Sequence, residues 1–347
     1  MRIAIDLTPL FGRKHTGVEL YAIDLYRALL KTGNPIIPIF HMENELDDNS
    51  NSIVIYQTNR LILENFKLSA AVRKIKADVT LFPIFPPPVD LYISRPTKIV
   101  PVIHDTAFIR YHETLKFAAK YYLTPKYNLA LKYADYIVSI SDTAKKQLED
   151  YSKVPVVNWG ENISSDFLPE NLIIDKGLLK EFNLRPYDYY ISVSTIEPRK
   201  NLKYLLKSIR QELVNTGKKL VLVGRKGWGK DEEQNRLIDE MKDYVIFTEY
   251  ISTAALQTLY HYAYAFALLS LDEGFGRTPL EAIACGCKKI IVSDIEIFHE
   301  TLGVSGNYIP LNNIKEATSL FINDTWRNVN HDFPIPFNEL EKKIHFL

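Results

Sequence analysis

Short apolar runs alternate with stretches of helical period along this 347-residue chain, and the alternation is laid out twice. It predicts an α/β protein of two doubly wound domains. Two further observations support that expectation. The apolar runs are rich in Ile, Val and Leu with little polar alternation, as in parallel strands covered on both faces. The length suits two domains of ordinary size, each with its own core.

In the first domain, residues 1–165, Arg2 to Leu7 is the opening strand and Thr8 to Gly17 a loop. Val18, Tyr21, Ala22, Leu25 and Leu29 then share one helical face until Thr32-Gly33 ends the helix. Ile36 to Phe40, Ile53 to Tyr56 and Ala77 to Phe82 are strands, with a helix reaching Lys74 before the last of them. Pro83, Pro86, Pro87 and Pro88 stiffen the next loop. Lys98 to Ile103 is a strand that ends in His104-Asp105. Arg110 to Tyr133 reads as a helix kinked at Pro125, Ala134 to Ile140 as a strand, and Ser141 as the start of another helix. Val154 to Asn158 closes the domain, and Gly160 to Pro169 is a linker.

The second domain, residues 166–325, repeats the pattern. Tyr189 to Ser194, Leu220 to Gly224, Val245 to Thr248, Ala263 to Leu269, Lys288 to Asp294 and Tyr308 to Pro310 are strands. Leu202 to Glu212, Ser252 to Tyr262 and Ile314 to Ile322 are helices. A tail, 326–347, ends in a helix with Leu340, Ile344 and Leu347 on one face.

Lys plus Arg and Asp plus Glu number 42 each, so no strong field recommends nucleic acid as a partner. The two cysteines, Cys285 and Cys287, are too close in sequence for an easy disulfide and read as small buried residues. No apolar run approaches a membrane span, and the first residues enter a strand directly, so a soluble, cytoplasmic protein is expected.

Chemistry concentrates in Ser270 to Gly286. Gly274 and Gly276 permit a sharp turn and close backbone approach after the strand. Thr278-Pro279-Leu280-Glu281 has the pattern of a helix start, with Thr278 as N-cap and Glu281 as the acid of a capping box. A ligand role for Glu281 stands beside that reading, because ligands in open α/β sheets sit at the carboxyl ends of strands. Arg199 and Lys200 fall at another predicted helix start, where cations oppose the macrodipole; a bound diphosphate would remove the conflict. Gly12 and Gly17 have P-loop spacing, but Val18-Glu19 stands where that motif needs Lys and Ser or Thr.

Glu273-Gly-Phe-Gly276, with Glu281 following at Glu-x7-Glu spacing, resembles the retaining GT-B-type glycosyltransferases of family 4. The resemblance covers roughly residues 1 to 320. It implies a GT-B fold, two Rossmann-like domains facing across a cleft, with residues 1–165 the acceptor-binding domain and residues 166–325 the nucleotide-sugar-binding domain. It puts Glu273 beside the donor sugar, Glu281 on the ribose hydroxyls, and the amides of Gly274, Phe275 and Gly276 near the sugar and diphosphate. Arg199 and Lys200 of Glu197-Pro-Arg-Lys-Asn201 would grip the leaving diphosphate. Thr16-Gly17 would lie near that diphosphate and the acceptor, His104 would contact the donor sugar, and the turn from Gly224 to Gly229 would lie near the base. The chain departs from the family where Glu19 and Leu20 replace a frequent Arg, and where Ser194-Thr195 stand in place of an earlier Arg.

The implied reaction moves a hexose from a nucleoside-diphosphate sugar to a hydroxyl of a glycan or lipid-linked acceptor, as in O-antigen, lipopolysaccharide or capsule synthesis. No Asp-x-Asp pattern offers a metal site and no cofactor beyond the donor substrate is expected. A sugar-nucleotide epimerase or phosphorylase of the same fold, and a non-catalytic two-lobed binding protein, are the alternatives. Residues 110–133 carry Arg110, Lys116, Lys120, Lys126 and Lys132 among five tyrosines. A solvated helix face explains them, as does peripheral contact with anionic lipid at the inner face of a membrane.

Overall fold

A computed structural model describes residues 1–12, 16–42, 46, 51–115, 117, 119–225, 232–329, 333–336 and 339–344. It divides into two units, residues 1–162 with 338–347, and residues 163–337. The break falls just before the expected boundary, and the end of the tail belongs to the first unit instead of standing apart.

Unit 1 runs β1 (Ile3–Asp6), α1 (Gly17–Leu30), β2 (Ile36–His41), β3 (Ile53–Ile55), α2 (Arg60–Ile62), α3 (Leu68–Ile75) and β4 (Val79–Phe82). It continues through α4 (Leu91–Ser94), β5 (Lys98–Pro101), α5 (Ala107–Arg110), α6 (Thr124–Tyr133), β6 (Ile137–Ser139), α7 (Asp142–Glu149) and β7 (Val156–Asn158). The strands are parallel in the order β3-β2-β1-β4-β5. Beyond β5, the Ile103 amide donates to Val138 O at 2.9 Å, linking the β6–β7 pair to the sheet.

The expected helix over 110–133 is broken into pieces. A 3-10 turn spans His112–Thr114 and a π turn Ala119–Leu123, and α6 begins at Thr124. Pro125 lies in the first turn of α6, where a missing amide N–H leaves no intrahelical bond unmade, so it starts a helix and does not kink one.

Unit 2 runs β8 (Tyr189–Val193), α8 (Leu202–Thr216), β9 (Lys219–Val223), α9 (Glu232–Glu240), β10 (Val245–Glu249) and α10 (Thr253–His261). It continues through β11 (Ala265–Leu268), α11 (Arg277–Ala284), β12 (Ile290–Ser293), α12 (Glu296–Leu302), β13 (Gly306–Ile309) and α13 (Ile314–Asn323). Its parallel order is β10-β9-β8-β11-β12-β13. Period-2 alternation sends Tyr189, Ile191, Val193, Phe266 and Leu268 to one face, and Tyr190, Leu220, Leu222, Ala265 and Ala267 to the other. Each face has its own apolar layer, so the strands read as continuous apolar runs. Cys285 and Cys287 are free and buried in one of these layers.

The last element, α14 (Glu339–Lys343), returns to unit 1. Leu340 and Ile344 are buried, and Asn162 Oδ1 accepts from the Glu339 amide at 2.7 Å, satisfying a first-turn donor. Lys31 Nζ pairs with Glu341 at 2.5 Å. Among the described residues, no helix is long and apolar enough to cross a membrane.

Each sheet reverses its order once, between β1 and β4 in unit 1 and between β8 and β11 in unit 2. At such a switch point the loops leaving two adjacent strands diverge and open a crevice at their carboxyl ends.

Candidate active site

At the switch point of unit 2 the loop after β8 meets the loop after β11. The Leu271 amide donates to Arg199 O at 2.8 Å, and Ser293 Oγ, at the end of β12, donates to Ser270 O at 2.6 Å. Pro198–Lys200 forms a 3-10 turn that closes on Asn201, which is left-handed at φ 51° and precedes α8. Arg199 and Lys200 therefore stand outside the first turn of α8, and the conflict expected with its dipole is answered by carboxylates. Lys200 Nζ donates to both oxygens of Glu273, at 2.6 and 2.7 Å. Arg199 donates to Glu197 Oε1 at 3.2 Å and to Asp272 O at 3.1 Å, and lies 3.8 Å from Glu273 Oε2. Ser270 Oγ completes the set, donating to Glu273 Oε1 at 2.7 Å.

Glu273 is only 7 % exposed. Burial works against its charge, but the Lys200 and Arg199 cations, with hydrogen bonds from Lys200 and Ser270, hold its carboxyl below the ordinary range. The result is a dry, ionised carboxylate locked to two cations.

Gly276, at φ +87°, is the N-cap of α11, so the helix starts at Arg277 and not at Pro279. A Cβ on Gly276 would sit 2.7 Å from the Phe298 ring, which makes glycine necessary on both counts. Thr278 is thus inside the first turn and Glu281 is not the acid of a capping box. Its carboxyl instead receives the Tyr260 hydroxyl at 3.3 Å and lies 3.9 Å from Arg277 Nε one turn back. Burial raises the Glu281 pKa, against the opposing pull of Arg277 and Tyr260. Gly274 is buried and Phe275 packs against the core of unit 2.

Gly224 follows β9 at φ +136°, where a Cβ would fall 2.1 Å from Ser194 O. Its amide donates to Glu249 O of β10 at 2.9 Å, and the close approach of the Ser194 carbonyl after β8 accounts for this glycine. Residues 226–229 of the turn expected near a base lie outside the described residues.

His104, Thr16 and Gly17 belong to unit 1. Thr16 caps α1 in a capping box with Glu19, whose carboxylate accepts from the Thr16 amide at 3.1 Å and from its hydroxyl. Glu19 thus fills the anion position at this helix start, which explains an acid where the family often has Arg. His104 Nε2 donates to Pro83 O at 2.8 Å, which fixes that nitrogen as the protonated one, and its ring packs edge-on against Tyr21 at 4.9 Å.

Sequence reasoning overlooked Ser270, Tyr260 and Arg277. The spacings Ser270-x-x-Glu273 and Arg277 to Glu281 were available signals; Tyr260 gave none. It also passed over Asp6, the last residue of β1, which is 3 % exposed. Among the described residues, no group of three or more His, Cys, Asp or Glu side chains is placed to hold a metal.

Residues 180–321 match the family described as Glycosyl transferases group 1. O-antigen chain mannosyltransferase RfbU of Salmonella typhimurium is 27% identical over 212 residues, 60% of this chain and 55% of that protein. This chain therefore spans about half of RfbU. O-antigen chain mannosyltransferase B of Escherichia coli is 23% identical over 346 residues, 90% of this chain and 89% of that one. Among solved structures, Anabaena HepE with UDP and glucose superposes with a TM-score of 0.68 at 15% identity, over 93% of this chain and 89% of that one. WaaG, a glycosyltransferase involved in lipopolysaccharide biosynthesis, gives 0.67 at 13% identity, over 92% and 90%. These likenesses establish the fold class as GT-B.

Proposed function

We propose that this chain, whose residues 180–321 match the glycosyl transferases group 1 family, transfers a hexose from a nucleoside-diphosphate sugar to a hydroxyl of a glycan or lipid-linked acceptor. The observation that supports this best is the buried cluster of Glu273, Lys200 and Arg199 at the switch point of unit 2. A diphosphate arriving beside it meets two cations already desolvated and oriented, so the charge that develops on departure is stabilised with little reorganisation. Glu273 balances those cations before the donor arrives and faces the sugar afterwards. Glu281 takes the ribose hydroxyls, which a carboxylate accepts as hydrogen-bond donors. The transfer retains the anomeric configuration and uses neither metal nor cofactor; Arg199 and Lys200 take the part a metal would play on the diphosphate. The named relatives make mannose the first sugar to try and surface polysaccharide the first product class.

The test is consumption of GDP-mannose and, in parallel, UDP-glucose by the purified chain, with and without EDTA. Turnover of either that survives EDTA is expected. Dependence on added manganese overturns the metal-independent reading, and binding of neither donor overturns the function.

Membrane contact through residues 110–133 rests on aromatic surface more than on lysines. Lys126 is buried and bonded to Asn65 and Tyr122 at 2.8 Å, and Lys120 is paired with Glu113 at 2.6 Å. Phe117 and Tyr121 are 79% and 62% exposed, with ring centroids 4.6 Å apart. Arg110 and Lys132 are exposed, and Lys116 lies outside the described residues. Cosedimentation with anionic liposomes should fall in Phe117→Ser plus Tyr121→Ser; equal binding by wild type and variant removes this reading.

A further inference from the structure

We infer that Arg277 is a positioning residue for the nucleotide: from the first turn of α11 it holds the Glu281 side chain charged and open to the ribose hydroxyls. The inference rests on the glycosyl-transfer reading, in which Glu281 takes those hydroxyls, and goes beyond it by assigning a role to Arg277.

Arg277 is a costly choice for its place. It is the first residue of α11, its side chain is 7% exposed, and the turn it opens contains no acid and no side-chain cap. A cation there opposes the helix dipole and gives up its water. The pair it makes with Glu281, one turn on, runs from cation to acid, the order that supports a helix less well. A residue that local rules disfavour on each of these counts points to a role outside helix stability.

The geometry says which role. Arg277 Nε stands 3.9 Å from Glu281 Oε1, close enough to act by charge and too far to donate a hydrogen bond. The Tyr260 hydroxyl, from α10, donates to the other oxygen, Oε2, at 3.3 Å. Both oxygens of Glu281 therefore keep lone pairs for a ligand, whereas Lys200 Nζ bonds directly to both oxygens of Glu273. An ionised carboxylate in that state accepts from both hydroxyls of a ribose diol; protonation turns one acceptor into a donor and loses a hydroxyl. At this depth the charge is what is at risk. Burial pushes the Glu281 pKa up, and Asp166, in the 3-10 turn Ser165–Phe167, adds like charge; Arg277 is the largest opposing influence, ahead of Tyr260. The Cys285 thiol, one turn further along α11, is pushed up by burial and stays neutral. His261 Nδ1 donates to Cys285 O at 2.8 Å, at the far end of the helix, and is retained in every variant.

Calorimetry on the whole chain across the neutral pH range reads the affinity for GDP or UDP, whichever wild type binds, and for its 2′-deoxy form. In Arg277→Met, affinity for the ribonucleotide should fall away at a pH about one unit or more above that of wild type, and return as pH rises. Wild type should prefer the ribose form by about tenfold, and Arg277→Met should lose that preference on the acid side of its own midpoint. Arg277→Lys, which keeps a cation, should move the profile back towards wild type, and Tyr260→Phe should shift it in the same direction as Arg277→Met by less. Arg277→Gln takes the place of Arg277→Met if the latter does not fold. A variant profile parallel to that of wild type overturns the inference, because a structural role, or a direct grip on the diphosphate, lowers affinity by the same factor at every pH. So does a ribose preference that survives in Arg277→Met on the acid side. Wild type that binds nucleotide without preferring the ribose form overturns the ribose role of Glu281 and this inference with it. Wild type that binds neither nucleotide overturns the glycosyl-transfer reading itself, and the assignment falls with it.

Discussion

The two sheets break their order at the same topological place, and the two breaks are furnished in opposite ways. At the β8–β11 break Glu273 is buried with two cations and a serine hydroxyl on it, and its pKa is held down despite the burial. At the β1–β4 break Asp6 is equally buried, yet burial pushes its pKa up to about 6, because among the described residues only Thr8 bonds it, and Glu64 adds like charge. Depth alone thus does not decide whether a carboxylate is charged; its partners do. The first arrangement favours the ionised carboxylate, the second the protonated one.

The comparison breaks most sharply at Lys200. Lys200→Met strips the main counter-charge from a buried carboxylate, so a loss of about 3–5 kcal/mol in urea unfolding is expected. Donor turnover should fall on the order of a hundredfold or more. The double variant Lys200→Met with Glu273→Gln should regain much of the stability but not the turnover. A single variant as stable as wild type would mean the pair is not the anchor of these loops.

Titration separates the two carboxylates by the sign of their slopes. The folded pKa of Glu273 is lowered, so its contribution is present above the ordinary carboxyl range and is lost as pH falls through the folded value. That of Asp6 is raised from 3.8 to about 6, so its contribution is present below 3.8 and is lost as pH rises through about 6. Asp6→Asn should therefore be more stable than wild type at pH 8 by up to about 3 kcal/mol, the advantage vanishing towards pH 4. Glu273→Gln should be less stable than wild type at pH 8, with the gap closing on acidification. Unfolding measured from pH 4 to 8 checks both, and parallel curves for the two variants would erase the distinction.

Glu281→Ala tests the neighbouring acid. It does not start α11, because Gly276 caps that helix, so the change should weaken nucleotide binding about tenfold, near 1.4 kcal/mol, with helix stability little altered. Calorimetry with GDP and UDP reads the affinity; unchanged affinity with a lowered melting temperature returns Glu281 to a structural part. The smallest effect is expected at Gly12, left-handed at φ +66° with open space where a Cβ would go. Gly12→Ala should cost about 1–2 kcal/mol from the backbone alone, and Gly276→Ala more, since there the Phe298 ring also intrudes.

The sequence by itself determined the strands, most helices, the two α/β units and the candidates Glu273, Arg199 and Lys200. Those are local facts: apolar runs, helical period, glycines at a turn, and cations at an ill-suited helix start. Contact order decided the rest. Lys200 and Glu273 lie 73 positions apart and meet because β8 and β11 are neighbours in the sheet, an arrangement no local pattern contains. Glu281 carried the residues of a capping box and became something else, because the left-handed Gly276 began the helix two residues early. The stretch 110–133 showed a charged helix and folded into several turns, burying Lys126 against Asn65 from a distant segment. Asp6 looked like the polar end of a strand. Only the packing around β1 shows it buried and raised in pKa, because desolvation depends on which neighbours exclude the water, and those come from other parts of the chain.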